Sequence, residues 1–185
     1  KINIHNVNVS YEEYNPASAK AGTVYFDDII GSLDHVSNIP AQIKLHHVAS
    51  LSAKSLFMHK IPTVVNFTFD LSKYKTGEFT VKVVMNKMDS NTINKIAEPL
   101  GLFSVKSGEV QHVEGMIKGN NFKTTNTIAL QYNKLHITPL KKDKAETGKL
   151  KKKTLTSFFA NKLLIKDQNP PGSEMRQPAY EVERD

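Results

Sequence analysis

The sequence predicts a mainly β protein, a curved antiparallel β-sheet forming a groove with one or two short amphipathic helices packed on it. Three observations predict this class. Between residues 63 and 138 the runs TVVNFTFDLSKY, GEFTVKVVMNKM, SGEVQHVEGMIKG, FKTTNTIALQYN and KLHITPL alternate apolar with polar side chains, which is the period of half-buried strands. Gly- and Asn-containing connections short enough to join antiparallel neighbours separate several of these runs. One interruption, DSNTINKIAEPLG, has helical spacing instead. A sheet with one apolar face coils around that face because its strands twist, and the product is a trough lined by Val, Ile, Leu and Phe.

Taken in order, Ile2, Ile4, Val7, Val9 and Tyr11 alternate but change phase across His5 and Asn6, which predicts a first strand with a bulge. The loop EEYNPASAKAG follows. Residues 23–30 (TVYFDDII) and 33–39 read as a pair joined near Gly31 and Ser32, and IKLHHVASL and AKSLFMHK as two short runs. In VVNFTFDL the side chains of Val65, Phe67, Phe69 and Leu71 fall on one face. Lys75, Thr76 and Gly77 form a turn, after which Phe79, Val81 and Val83 resume the alternation and complete a hairpin. Asp89 or Ser90 caps a helix over 90–98 in which Ile93, Ile96, Ala97 and Leu100 share a face, and Pro99 and Gly101 end it. Gly115, Gly119, Asn120 and Asn121 supply a hairpin connection. Ile128, Leu130, Leu135 and Ile137 then return to the apolar face.

The expected division is a curved sheet domain over 1–140, a Lys-rich loop over 141–153, and a closing region over 154–185. In that last region Leu155, Phe158, Phe159 and Leu163 predict an amphipathic helix over 154–162, followed by a short strand and a polar, proline-containing tail. A chain of 185 residues suits one domain. It begins at Lys1 without an initiator Met, and reads as a piece of a longer protein.

Composition excludes several kinds of chemistry. The absence of cysteine removes disulfides, thiolate metal sites and a Cys nucleophile together. No nucleophile elbow, P-loop or dinucleotide fingerprint occurs. His46, His47 and His59 are the only local histidine cluster, and adjacent residues on a strand point to opposite faces. The same alternation separates Asp27 from Asp28, which read as the end of a strand or a bulge rather than as an acid/base pair. The expectation is a protein that is not an enzyme, with no cofactor and no metal.

The net charge of +7 is concentrated at Lys141, Lys142, Lys144, Lys149, Lys151, Lys152 and Lys153. The plain reading is a solvated loop, with Asp143, Glu146, Thr147 and Gly148 interleaved. The functional reading is contact with an anionic membrane through Lys141, Lys142, Lys149, Lys151, Lys152 and Lys153, each lysine contributing roughly 1 kcal/mol near a charged bilayer. Nucleic acid is not an expected partner. The apolar face likewise has two readings, an ordinary sealed core or a surface that stays open to acyl chains. At ~0.8 kcal/mol per buried methylene, an open face could hold a lipid chain without any specific polar contact.

The order of short words along the chain carries a resemblance. The words are residues 67–71 (FTFDL), 77–81 (GEFTV), 94–101 (NKIAEPLG), 104–110 (SVKSGEV), 119–121 (GNN), 132–141 (YNKLHITPLK) and 158–170 (FFANKLLIKDQNP), preceded by YEEYN and TVYFDDIIGSLDHVSN. Together they resemble the carboxy-terminal region of AsmA-like envelope proteins of Gram-negative bacteria, in the form common among Bacteroidetes. Thr124, Thr125 and Asn126 depart from the pattern, where a small residue and a second glycine are expected. The resemblance implies a periplasmic section of a larger protein anchored in the inner membrane, with a hydrophobic β-groove that conducts phospholipid and supports outer-membrane biogenesis. It carries over no catalytic or binding residue.

The groove candidates therefore come from alternation alone: Val65, Phe67, Phe69, Leu71, Phe79, Val81, Ile128, Leu130, Leu135 and Ile137. The expected partners are lipid or acyl chains, a membrane surface and other domains of the parent chain. The runner-up is a structural or interaction module that caps or assembles the parent without binding lipid.

Overall fold

The computed structural model describes residues 1–143, 149–152, 168–171, 176–177 and 179–183. Among the described residues ten strands form in chain order: β1 (Ile2–Asn15), β2 (Lys20–Asp34), β3 (Val48–Phe57), β4 (Ile61–Asp70), β5 (Phe79–Met85), β6 (Phe103–Gly119), β7 (Lys123–Lys142), β8 (Leu150–Lys152), β9 (Gln168–Asn169) and β10 (Ala179–Glu183). The first seven pair with their successors as an antiparallel meander, and β10 closes the path on β7. The result is a curled eight-strand half-barrel, with β8 and β9 also paired to β7. Two short helices, α1 (Pro40–Leu45) and α2 (Ser90–Gly101), pack on it.

Unequal strand lengths shape one end of the sheet. β5 has 7 residues, while β6 has 17 and β7 has 20. Met85 is the last β5 residue in the ladder and faces Val113, so residues 103–112 run on with β7, touched on the other side by the isolated bridge of Met88 to Val110. On the other side Phe57 ends β3 opposite Phe26, the Met58 N–H still donates to the Tyr25 carbonyl at 2.9 Å, and residues 20–24 of β2 continue with β1. Two ribbons thus project past the short central strands and leave a notch between them.

α2 fills that notch, packing on both β2 and β6. Ile93 packs against the cluster of Val105, Val110, Tyr132 and Leu135, and Ile96 against Phe57, Met58 and Ile61. Met88, just before the helix, joins both clusters. The approach to β2 is close enough that a Cβ at Gly22 would stand 2.6 Å from Cγ of Leu100. The edge that β6 loses when β5 ends is covered by Asn94. Its Nδ2 donates to the Val105 carbonyl at 2.9 Å and its Oδ1 accepts from the Val105 N–H at 2.7 Å, as a paired strand would.

Both helix ends are tied to turns. Asp89 accepts from the Thr92 N–H at 2.8 Å as the N-cap and meets Lys60 Nζ of the β3–β4 turn at 2.6 Å. At the other end Asn15 Nδ2 donates to the Leu100 carbonyl at 2.8 Å. The helix runs three residues beyond the expected 90–98 because Pro99 sits in its last turn. The helix ends only at Leu102, a left-handed C-cap whose N–H reaches the Ala97 carbonyl.

Several boundaries differ from the sequence expectation. Gly31 and Ser32 form no turn, since β2 continues through them with β1 and β3 on either side. The irregularity falls instead at Asp28, whose φ is 51° and whose N–H donates to Asn8 Oδ1 at 2.9 Å. The loop EEYNPASAKAG contracts to residues 16–19. IKLHHVASL is split between α1, which Pro40 opens, and β3. FKTTNTIALQYN and KLHITPL are one strand, β7, bent where Lys134 (φ 49°) meets Gly108 (φ 93°). A Cβ at Gly108 would overlap the Lys134 carbonyl oxygen, so the bulge needs glycine there.

The closing region also gains order. The long outer edge of β7 is covered in three places, by β10 on residues 123–127, β9 on 132–133 and β8 on 140–142. The Lys-rich stretch is thus a β7–β8 hairpin in its described part, and the closing region supplies two strands, β9 and β10, where one short strand was expected. The helix expected over 154–162 lies outside the described residues.

Two outcomes follow. Asp89 is held down to about 2 by its bonds to Lys60 and to Thr92, below its unfolded value. Its stabilisation is full above pH ~4 and fades as pH falls toward 2. Its side chain is 51% exposed, so solvent screening limits the effect to about 1 kcal/mol. Asp89→Asn is expected to keep the cap and lose this acid dependence, read as melting temperature between pH 5 and 2. Asn94→Leu strands both Val105 backbone groups and is expected to cost about 1 to 3 kcal/mol in urea unfolding.

Candidate functional site: an apolar trough

The ladder fixes which side chains share the inner face. Phe69 of β4 faces Phe79, which faces Gly119, which faces Thr124. One step along, Phe67, Val81, Ile117 and Asn126 form a row, and beyond them Val65, Val83, Gly115 and Ile128 form another. β3 extends the same rows with Ala49, Leu51 and Ala53. No charged residue stands in these three rows. The charges lie on the intervening positions, among them Lys54, Lys82, Glu114 and Lys118, which face the other way.

The phenylalanines form a cluster at the end opposite α2. Phe67 and Phe79 stack at 5.7 Å between centroids, and Phe69 lies 5.0 Å from Phe67 and 6.1 Å from Phe79. Position 115 has no side chain where Val83 leans across it; a Cβ there would stand 2.8 Å from Val83 Cγ1. Under α2 the equivalent side chains are buried, Phe57, Ile61, Val105 and Val110 among them. Toward the other end Val65, Phe67, Val81, Val83 and Ile117 are only half-buried, and Phe69 is 40% exposed. α2 packs on β2 and β6, and α1 on the 3-10 turn Leu71–Lys73, so neither helix lies on the phenylalanine rows.

The sequence candidates divide accordingly. Val65, Phe67, Phe69, Phe79, Val81 and Ile128 come together on the uncovered floor. Leu71 does not join them. Asp70 accepts from the Ser72 N–H and hydroxyl, the strand ends there, and Leu71 lines a cleft of about 460 Å³ with Pro40, Ile43 and Tyr74. Leu130 and Ile137 pack against the cluster under α2, and Leu135 is buried in it. The Lys134 bulge and the helix in the notch place these three in the core rather than on an open face. Val83, Leu51 and Ile117 belong to the floor and were not among the candidates. Alternation from Phe79 points to Val83, while Leu51 and Ile117 become visible only with the register.

The lysine candidates stand beyond the α2 end. Lys141, Lys142, Lys149, Lys151 and Lys152 are exposed on or beside the β7–β8 hairpin, with Lys151 paired to Asp143 at 2.8 Å. Lys153 lies outside the described residues.

Ionisable groups gather at turns and caps. His59 Nδ1 lies 2.8 Å from Asp27 Oδ2 and its ring packs on Tyr25. His46 stacks on His35 at 4.3 Å. The Ser72 hydroxyl holds the Asp70 carboxyl below its usual range, Glu78 raises Lys73, and burial raises Tyr132. None of these groups is in the three floor rows. Among the described residues no three His, Asp or Glu side chains are placed to share a metal ion, and no helix is long and apolar enough to cross a membrane.

Fold and site together define an open β half-barrel whose inner face carries three uncharged, mostly apolar rows across β3 to β7. Compared with protein-family models, curated proteins and solved structures, the chain matches none.

The tight floor gives a direct check on the geometry. Gly115→Ala is expected to destabilise by about 1 to 2 kcal/mol through overpacking against Val83, and adding Val83→Ala is expected to recover most of it. A double-mutant cycle by denaturant unfolding measures that coupling.

Proposed function

We propose that this chain is a non-catalytic carrier section, in which the uncovered end of the trough takes up acyl chains of lipid. The observation that carries the reading is the polarity of the floor. Three adjacent rows across five strands hold no charge, yet their large side chains remain half-buried beneath no described helix. A monomeric fold gains by covering such a surface. An acyl chain covers it without directional contacts, since burial of methylene groups supplies the affinity. The ordered words shared with AsmA-like proteins support the same reading and extend it to phospholipid transport in the periplasm, as part of an inner-membrane-anchored parent.

A module that assembles or caps the parent is the second reading, and one observation favours it. Among the described residues β1 has a partner on one side only, and an unpaired ladder edge is a template for another strand. Bulges at Asn6 and the charges of Glu12 and Glu13 blunt it.

Fluorescent fatty acid or phospholipid offered to delipidated protein separates the two. Uptake is expected, with Phe67→Ser and Phe79→Ser each weakening it roughly five- to thirtyfold for about 1 to 2 kcal/mol of lost apolar contact. Lys82→Ser on the outer face is expected to change nothing. Absence of uptake by the unaltered protein would sink the carrier reading and leave the module.

A further inference from the structure

The open end of the half-barrel carries its own pattern. Among the described residues the three most exposed large apolar side chains are Leu45 (72%), Tyr74 (70%) and Phe122 (66%). They sit one to a loop, on the β2–β3, β4–β5 and β6–β7 connections. A meander places alternate connections at the same end, so all three loops stand at the end away from α2. Val36 and Ile39 add further exposed apolar surface to the first loop.

These loops are joined to one another. α1 packs on the 3-10 turn after β4, and the Leu71 N–H donates to the His47 carbonyl at 2.7 Å. Asn121 fastens the third loop to the second, its N–H to the Thr76 carbonyl at 2.9 Å and its Nδ2 to the Lys75 carbonyl at 3.1 Å. The apolar tips therefore belong to one linked rim.

Lysines outnumber acids around the rim. Over residues 34–47, 70–78 and 118–123 the lysines are Lys44, Lys73, Lys75, Lys118 and Lys123, against Asp34, Asp70 and Glu78, of which Asp34 is paired to Lys1 at 3.9 Å and Asp70 caps the turn at Ser72. Glu78 is matched to Lys73 at 2.7 Å and Lys123 is paired to Glu181 at 3.2 Å. Lys44, Lys75 and Lys118 stand in no described ion pair. Aromatic and aliphatic tips among unmatched lysines fit the boundary of a bilayer, where amphipathic rings lie at headgroup level and cations meet anionic lipid.

We propose that this rim docks the protein on an anionic lipid bilayer, with Leu45, Tyr74 and Phe122 entering the interface. The docking end is thus the mouth of the trough, opposite the Lys-rich β7–β8 hairpin. The proposal goes beyond the carrier reading and does not depend on it.

Sedimentation with vesicles of phosphatidylcholine containing phosphatidylglycerol tests it. Binding is expected to the mixed vesicles, to weaken with salt, and to fall roughly fivefold for each of Lys44→Ala, Lys75→Ala and Lys118→Ala. Leu45→Ser, Tyr74→Ser and Phe122→Ser together are expected to reduce it at least tenfold, while Lys141→Ala with Lys142→Ala leaves it unchanged. The chain has no tryptophan, so Phe122→Trp supplies a single tryptophan that can be excited apart from the tyrosines, expected to shift to the blue and to be quenched by brominated lipid. No vesicle binding, binding lost only with the hairpin lysines, or an unquenched reporter on bound protein would each overturn the proposal. So would a dimer abolished by the rim substitutions in place of vesicle binding. Uptake of monomeric fluorescent fatty acid without vesicles is the separate readout for the carrier reading. It is expected to survive the rim substitutions, and its failure leaves the docking result intact.

Discussion

The difference in length between the central strands and their neighbours is the constraint from which most of this structure follows. β5 stops after seven residues while β6 and β7 run on. Backbone groups exposed by that stop must find partners, and apolar side chains beyond it must find cover. One helix answers both needs. Asn94 completes the β6 edge, Ile93 and Ile96 each reach a different cluster, and the chain leaves α2 directly into β6. Had β5 matched β6 in length, there would be no notch for the helix to fill.

Asparagine side chains recur at several places where the ladder is broken. Asn8 meets the bulge at Asp28, Asn15 holds the end of α2, Asn94 extends the edge of β6, and Asn121 joins two turns. Asn169, only 4% exposed, donates to the Leu130 carbonyl and accepts from the Arg176 N–H. A primary amide carries the same donor and acceptor as a peptide group, so it substitutes for a missing strand without requiring one. Charges contribute little at these points, and most of the ion pairs are exposed at turns and strand edges where they stabilise weakly.

The alternating pattern of residues 63–85 made the first hairpin and its inner face legible, because a period of two leaves one choice of side. The Asp89 cap was legible for the same local reason. What stayed hidden depends on contacts distant in sequence. Lys134 is an ordinary lysine in an alternating run, and only Gly108 on the neighbouring strand reveals that the run bends there without ending. Leu135 and Ile137 look like floor residues until the helix is placed over them. The tail's strands have little apolar signal of their own and form against an edge that β7 presents. Of the trough, the uncovered part was readable from β4 and β5, and its outline on β3 and β6 required the register.

α2 also has a directional consequence. A helix standing across one end of a half-barrel makes it a cul-de-sac along its axis. On the carrier reading, a chain sliding over the phenylalanine rows meets Met85, Ile61 and the helix behind them, and can go no further in that direction. It must reverse or leave sideways over an outer strand. On that reading such a section would work as a terminus rather than as a length of open pipe.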